Sequence, residues 1–338
     1  MSPPMAENQA VHDDLIDSGR RRLMVVSIVG ILLLALALTL VVFPFAYAVG
    51  ALGTLLRGSG GYGWSLIGIS FGSAFVIAVV VSALGFLWVY RRAERTVLTP
   101  MQLFPRPFSA GSASVVPRDP VGEHRRVQVL LEGLSIAAGV FPPPSCALIR
   151  DPAPNCLTIG RRKETAWIVV TTGLVDSMSR DELEAVLAYE IGRVAAYEVS
   201  LDTAVYACTA RVFELWGLPF ADGEFDIDNV IFLPITLLTT PLALGGAFLR
   251  RYVLRSRARL SDGLAVRYCR NPAALLSALR KIDADHKTVR AADPDAAHLW
   301  LQYPHTRASS FFFGSRKILR ERITRLEALT GQAKVAPG

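Results

Sequence analysis

Residues 179–193 read Ser179-Arg180-Asp181-Glu182-Leu183-Glu184-Ala185-Val186-Leu187-Ala188-Tyr189-Glu190-Ile191-Gly192-Arg193. Ser179 followed by Glu182 forms an S-x-x-E capping box, in which the hydroxyl and the carboxylate each satisfy one orphan N–H of a helical first turn. Leu183, Val186, Leu187 and Val194 keep helical spacing and predict a single apolar stripe. Glu190 falls on that stripe, on the same face as Leu183, Val186 and Leu187. A carboxylate on a buried face is costly unless it is paired or protonated. Two readings are open for it: a structural ion pair with Arg193, one turn on, or a catalytic acid–base group.

Short β-type runs precede this helix at 146–149, 155–159 and 166–171, the clearest being Ala166-Trp167-Ile168-Val169-Val170-Thr171. Further upstream, 121–139 reads as an amphipathic helix through Val127, Leu130, Leu131, Leu134 and Ala138, stopped by Pro142-Pro143-Pro144. Downstream, 260–331 reads as helical at 272–283, more loosely near 295–303, and again at 315–329. No internal repeat is present.

The rest of the chain is unusually apolar. Of 338 residues, 51% are hydrophobic and 19% charged, with a mean hydropathy of +0.36. Soluble domains carry about 25% charge, so the composition argues against an ordinary cytosolic enzyme, and the plentiful apolar surface excludes disorder as the main state. Residues 23–56 contain no charge, and neither do residues 58–90. A membrane-spanning helix needs about 20 residues, so each stretch holds one, with a turn in the cluster Gly58-Ser59-Gly60-Gly61-Tyr62-Gly63. Arg20, Arg21 and Arg22 precede the first, while Arg91, Arg92 and Arg95 follow the second. By the positive-inside rule both ends lie in the cytoplasm. Ala46-Tyr47-Ala48 resembles a signal-peptide cleavage site, but the apolar run is too long for one and a second span follows.

Residues 93–120 read as a Pro/Ser/Gly-rich linker. Residues 199–218 are apolar but interrupted by Asp202, Arg211 and Glu214, so they either span the bilayer or pack as an interfacial helix. Residues 229–249 are uncharged and exit into Arg250, Arg251, Arg255, Arg257 and Arg259.

The net charge of +7 comes almost wholly from arginine, since only Lys163, Lys281, Lys287, Lys317 and Lys334 are lysines. The arginine clusters flank apolar runs and no nucleic-acid motif accompanies them, so no nucleic-acid partner is expected. Cys146, Cys156, Cys208 and Cys269 form no C-x-x-C pair and are expected to be reduced thiols.

The helix 179–193 resembles the zinc helix of HtpX-type membrane metallopeptidases, a family that includes the CAAX prenyl proteases and typically reads S-x-D-E-L-x-A-V-L-A-H-E-I-G-H. Residues 151–160 (Asp-Pro-Ala-Pro-Asn-Cys-Leu-Thr-Ile-Gly) resemble the family's P-N-A-F-A-x-G strand, and Ile168 to Leu174 its V-x-V-T-x-G-L strand. Asp262-Gly263-Leu264-Ala265-Val266, Asn271-Pro272 and Ala278 to Ile282 are similar to E-x-x-A-D-x-x-A-V … N-P … A-L-x-K-I, and Glu321 to Leu326 to the last helix. The resemblance covers roughly 120–330.

It implies a zinc site of two His at i and i+4 with a Glu from a later helix, and a Glu acting as base. Carried over, the base position is Glu190, the two His positions hold Tyr189 and Arg193, and the third-ligand position is Ala258. The second-shell acid is Asp262, and the family's late His-Pro-Pro stands as Arg316-Lys317-Ile318. Arg offers only donors and a fixed positive charge, and Ala offers no donor atom. The five histidines, His12, His124, His286, His298 and His305, show no i, i+4 pair.

The resemblance also places extended substrate against the sheet edge at Asn155, Cys156 and Leu157. Arg193 is expected to pair with Glu190, and the Tyr189 hydroxyl to donate to Asp262.

The expected protein is therefore α+β and multi-pass. It has a cytoplasmic tail (1–22), a transmembrane hairpin (23–92), a linker (93–120), a mainly helical metallopeptidase-like domain with a small sheet (121–331, hydrophobic insert 199–249) and a tail (332–338). It is expected in the cell membrane with that domain on the cytoplasmic side. The lipid bilayer is one partner, and extended polypeptide or another membrane protein a second. The expected role is that of a pseudoprotease without cofactor, which binds polypeptide or regulates a membrane protease or quality-control partner. The alternative is an active zinc endopeptidase with an altered ligand set.

Overall fold

The computed structural model describes residues 3–56, 64–99, 123–217, 233–290, 296–302 and 315–331. These form α1 (Pro3–Leu56), α2 (Trp64–Leu98), α3 (Glu123–Ala138), β1 (Ser145–Ile149), β2 (Cys156–Ile159), β3 (Trp167–Thr171), α4 (Thr172–Ser177), α5 (Arg180–Ala195), α6 (Glu198–Gly217), α7 (Leu233–Cys269), α8 (Pro272–Ala284) and α9 (Ser315–Leu329). The architecture is mostly helical with one small mixed sheet.

The chain divides into two compact units. The first combines Met1–Leu23, Ala93–Thr203 and Arg250–Gly338. Its sheet has the order β1-β3-β2, with β1 parallel and β2 antiparallel to β3. β3 is central and is nearly all Val, Ile and Trp, as a strand covered on both faces should be. β2 is the edge. Its register pairs Cys156 with Val170 and Leu157 with Val169.

α5 is the middle helix, packed between α3 and α8. It is buried on every side from Ala185 to Ala195, which is why its apolar stripe is wider than the four residues read from the sequence. The expected capping box is present: the Ser179 hydroxyl accepts from the Glu182 N–H, and the Glu182 carboxylate accepts from the Ser179 N–H at 2.8 Å. Such caps contribute about 1 kcal/mol. Gly192 lets α7 approach closely, since a Cβ there would meet Leu264 Cβ at 3.0 Å.

The second unit is Met24–Arg92 with Ala204–Leu249. Its helices carry exposed apolar side chains along their length, among them Val25, Ile28 and Leu32 on α1 and Val76, Val80 and Leu84 on α2. Among the described residues, one segment, Ile69–Leu98, is long and apolar enough to cross a membrane. Phe43 and Phe71 meet edge-to-face with ring centroids 5.6 Å apart. Gly30 sits where any Cβ would strike Cys208 Sγ, so α1 and α6 touch there at backbone distance.

Two boundaries differ from the sequence reading. α1 begins at Pro3, so the polar residues before Leu23 continue the helix; proline is well placed in a first turn. α2 continues to Leu98, six positions into the expected linker, because nothing before Pro100 interrupts it. The glycine turn at 57–63, most of the linker, and residues 218–232 lie outside the described residues.

Candidate active site

Glu190 is fully buried on α5, on the face that its spacing assigned. Three side chains hydrogen-bond to its carboxylate. Thr158 Oγ1 donates to Oε2 at 2.7 Å, and Cys156 Sγ donates to Oε1 at 3.3 Å. Arg193 Nη1 donates to Oε2 at 2.5 Å. Residues 156 and 158 share one face of β2 because side chains alternate along a strand, so the edge strand presents two donors to one carboxylate.

Arg193 is also fully buried. Its second terminal nitrogen, Nη2, donates to Asp202 Oδ2 at 2.6 Å. Asp202 stands early on α6, which the chain reaches through a sharp corner with Tyr197 at φ 60°. The guanidinium therefore lies between two carboxylates. Burial alone would lower the pKa of Arg193, but the charges of Glu190 and Asp202 outweigh it and hold the guanidinium above its ordinary value. For Cys156 burial and the Glu190 charge act together and push the thiol well above its usual range.

A second buried ion pair adjoins the first. Asp262 of α7 accepts from Arg322 of α9 at 2.7, 3.0 and 3.2 Å, a bidentate arrangement. The Arg322 guanidinium lies 4.2 Å from the centre of the Tyr189 ring. Sequence reasoning gave Asp262 the Tyr189 hydroxyl. The structure gives it Arg322, and Tyr189 contributes its aromatic face to the same cation. Burial would lower the Arg322 pKa, and Asp262 raises it further than that.

Magnitudes say what this cluster is for. At an effective dielectric near 20 each close pair attracts by about 4 kcal/mol. Removing each ion from water costs several kcal/mol. The pairs roughly break even in the folded state. Losing one member does not: it leaves a buried charge with no counter-charge, at about 3–5 kcal/mol.

The residues do not fit a zinc ion. At the two positions where the resemblance expects histidine, Arg193 projects a cation held by two carboxylates and Tyr189 stacks on a second cation. A guanidinium offers no lone pair to a metal, and a phenol becomes a good zinc ligand only when it loses its proton. Ala258 falls on the backbone of α7, and its side chain lies outside the described residues, as do those of Arg316 and Lys317. Among the described residues no group of three or more His, Cys, Asp or Glu is placed to hold a metal.

Asn155, Cys156 and Leu157 do lie together at the outer edge of the sheet, where the chain's own segment Trp300–Gln302 adjoins them. Sequence reasoning missed Asp202, which it counted as an interruption of an apolar stretch, and Arg322. Asp202 carried one usable signal: an acid early in the next helix, opposite a helix that ends in a buried arginine.

Glu190, which the resemblance places at the family's base position, thus lies on a buried helix and faces the antiparallel edge strand of a small mixed sheet. The profile of peptidase family M48 matches residues 122–330, and the chain belongs to that family. It is similar to "Protease HtpX homolog" proteins. One from Levilactobacillus brevis is 32% identical over 217 residues, 59% of this chain and 72% of the relative. One from Caldanaerobacter subterraneus subsp. tengcongensis is 28% identical over 282 residues, 80% of this chain and 87% of the relative. No solved structure matches.

Proposed function

We propose that this chain is a membrane-anchored M48 pseudoprotease, which does not hydrolyse peptides by the family's zinc mechanism and instead binds extended polypeptide or regulates a membrane protease or quality-control partner. The observation that carries this reading is the position of Arg193. Its guanidinium occupies both the base-position carboxylate and a second acid, so Glu190 has no free charge with which to activate a water. Without a metal, nothing lowers the pKa of water toward 7 or polarises a carbonyl. A hydrogen-bonded glutamate alone is many orders of magnitude short of that task.

The anchor is read from unit two. α1 and α2 form a hairpin across the bilayer with lipid against Val76, Val80 and Leu84, and with Arg20–Arg22 and Arg91, Arg92 and Arg95 on the cytoplasmic side. The M48 domain then lies in the cytoplasm.

The test is metal analysis of detergent-purified protein, beside the triple change Tyr189→His, Arg193→His and Ala258→Glu. The parent is expected to hold no stoichiometric zinc and to leave fluorescein-labelled casein intact. The triple variant is expected to bind zinc, with Asp202 free to orient the new imidazole at 193, and to gain cleavage. Stoichiometric zinc in the parent, with chelator-sensitive cleavage, would overturn the reading.

A further inference from the structure

β2 is the sheet's edge, and an edge strand offers unpaired N–H and C=O groups to any extended chain. In this protein part of that edge is already taken. Trp300 forms an antiparallel bridge with Leu157. The Leu301 N–H donates to the Cys156 carbonyl at 2.8 Å. The Asn155 side chain grips the next residue from both sides: its Oδ1 accepts from the Gln302 N–H at 3.0 Å, and its Nδ2 donates to the Gln302 carbonyl at 2.6 Å. Trp300 is 1% exposed. Upstream, His298 Nε2 lies 3.2 Å from the Asp202 carbonyl, which ties the segment to α6, whose Asp202 carboxylate pairs with Arg193.

We infer that residues 300–302 are a resident strand in the place of an added polypeptide, and that the β2 edge accepts a partner only when this strand lets go. The inference rests on the polypeptide-binding reading above and adds a condition to it. The device is short. It meets β2 through one bridge, to which the Leu301–Cys156 backbone bond belongs, whereas a longer extended chain could pair along all of Cys156–Ile159. A competitor can therefore offer more backbone hydrogen bonds than the resident strand does. Its side-chain requirement is set by what it displaces: the residue opposite Leu157 must replace a buried indole, so a bulky aromatic or aliphatic side chain fits there. The face of β2 that carries Cys156 and Thr158 is turned to Glu190 and takes no part in the choice.

The experiment uses the full chain in detergent and a fluorescein-labelled synthetic peptide with the sequence of residues 296–303. Leu301→Pro removes the N–H that Cys156 accepts. Gln302→Pro removes only the N–H that Asn155 accepts, and it is the variant to use if Leu301→Pro melts more than 5 °C below the parent. The folded variant is expected to bind the peptide at least ten-fold more tightly than the parent. In the parent, saturating peptide is expected to speed hydrogen exchange at the Leu301 amide. Equal binding by parent and variant would show that the strand blocks nothing, and binding by neither would overturn the polypeptide-binding reading on which the inference rests. Binding that leaves the Leu301 amide protected would overturn the resident-strand inference while leaving polypeptide binding intact. None of these outcomes bears on zinc content, so the pseudoprotease reading stands or falls separately.

Discussion

Replacing Arg193 with methionine keeps most of the side-chain volume and removes the charge. In the native protein the guanidinium separates Glu190 from Asp202, with contacts of 2.5 and 2.6 Å. All three side chains are fully buried. The variant would hold two carboxylates in a site closed to water. Breaking a buried pair costs about 3–5 kcal/mol, and here one substitution breaks two pairs, so the expected loss is at the upper end, about 5 kcal/mol. That is a large fraction of the stability of a typical domain.

The control is the neutral triple Glu190→Gln, Arg193→Met, Asp202→Asn, which loses the ion pairs but strands no charge and should cost about 1–2 kcal/mol. The assay is chemical denaturation in detergent, following near-ultraviolet circular dichroism. Part of the single variant's deficit should return on acidification, because an uncompensated buried carboxylate is neutralised by protonation. If Arg193→Met costs no more than the neutral triple, the cluster is not electrostatically closed, and the account of why the site excludes a cation fails.

Other outcomes follow from the same coordinates. Glu182 accepts from Lys281, Ser277 and the Ser179 N–H; burial alone would raise its pKa, but these donors outweigh it and hold the carboxyl at about 2. A depressed carboxylate stabilises the fold above its unfolded value near 4.5 and stops doing so as pH falls toward 2. After discounting for the half-exposed Lys281, the parent should lose about 1 kcal/mol more than Glu182→Gln between pH 5 and pH 2.5, read from denaturation midpoints. Cys156 should resist iodoacetamide at pH 8 in the folded protein and react only on unfolding, because its thiol is buried with a raised pKa; mass spectrometry of the labelled peptides decides this. Gly173→Ala should cost about 2–3 kcal/mol in a thermal melt, since the new Cβ would fall 2.3 Å from the Pro152 carbonyl oxygen, which is backbone and cannot rotate away.

How much of this was legible beforehand depends on the distance over which each signal acts. The three strands, α3, α5 and α8 were readable within a residue or two because capping, periodicity and proline stops are local. Ser179–Glu182 is the clearest case. The burial of Glu190 was readable from its offsets to Leu183, Val186 and Leu187, and so was the Glu190–Arg193 pair, since both lie on one helical turn. Asp202 was not, because its contact with Arg193 depends on the corner at Tyr197, and no periodicity reports a corner. Arg322 was further out of reach: it meets Asp262 from another helix, 60 positions away in sequence. The occupation of the β2 edge was hidden for a related reason. Trp300–Gln302 is too short to carry a strand pattern, and its partner Asn155 acts through a side chain rather than through a ladder.

The double grip on Arg193 also constrains how this lineage can change. Histidine at 193 can face Asp202 but leaves Glu190 without the guanidinium that compensates it. Neutralising Asp202 alone leaves Arg193 leaning wholly on Glu190. A change at 193 alone therefore strands at least one buried acid, so the position is interlocked with its two partners and is exchanged at low cost only together with them.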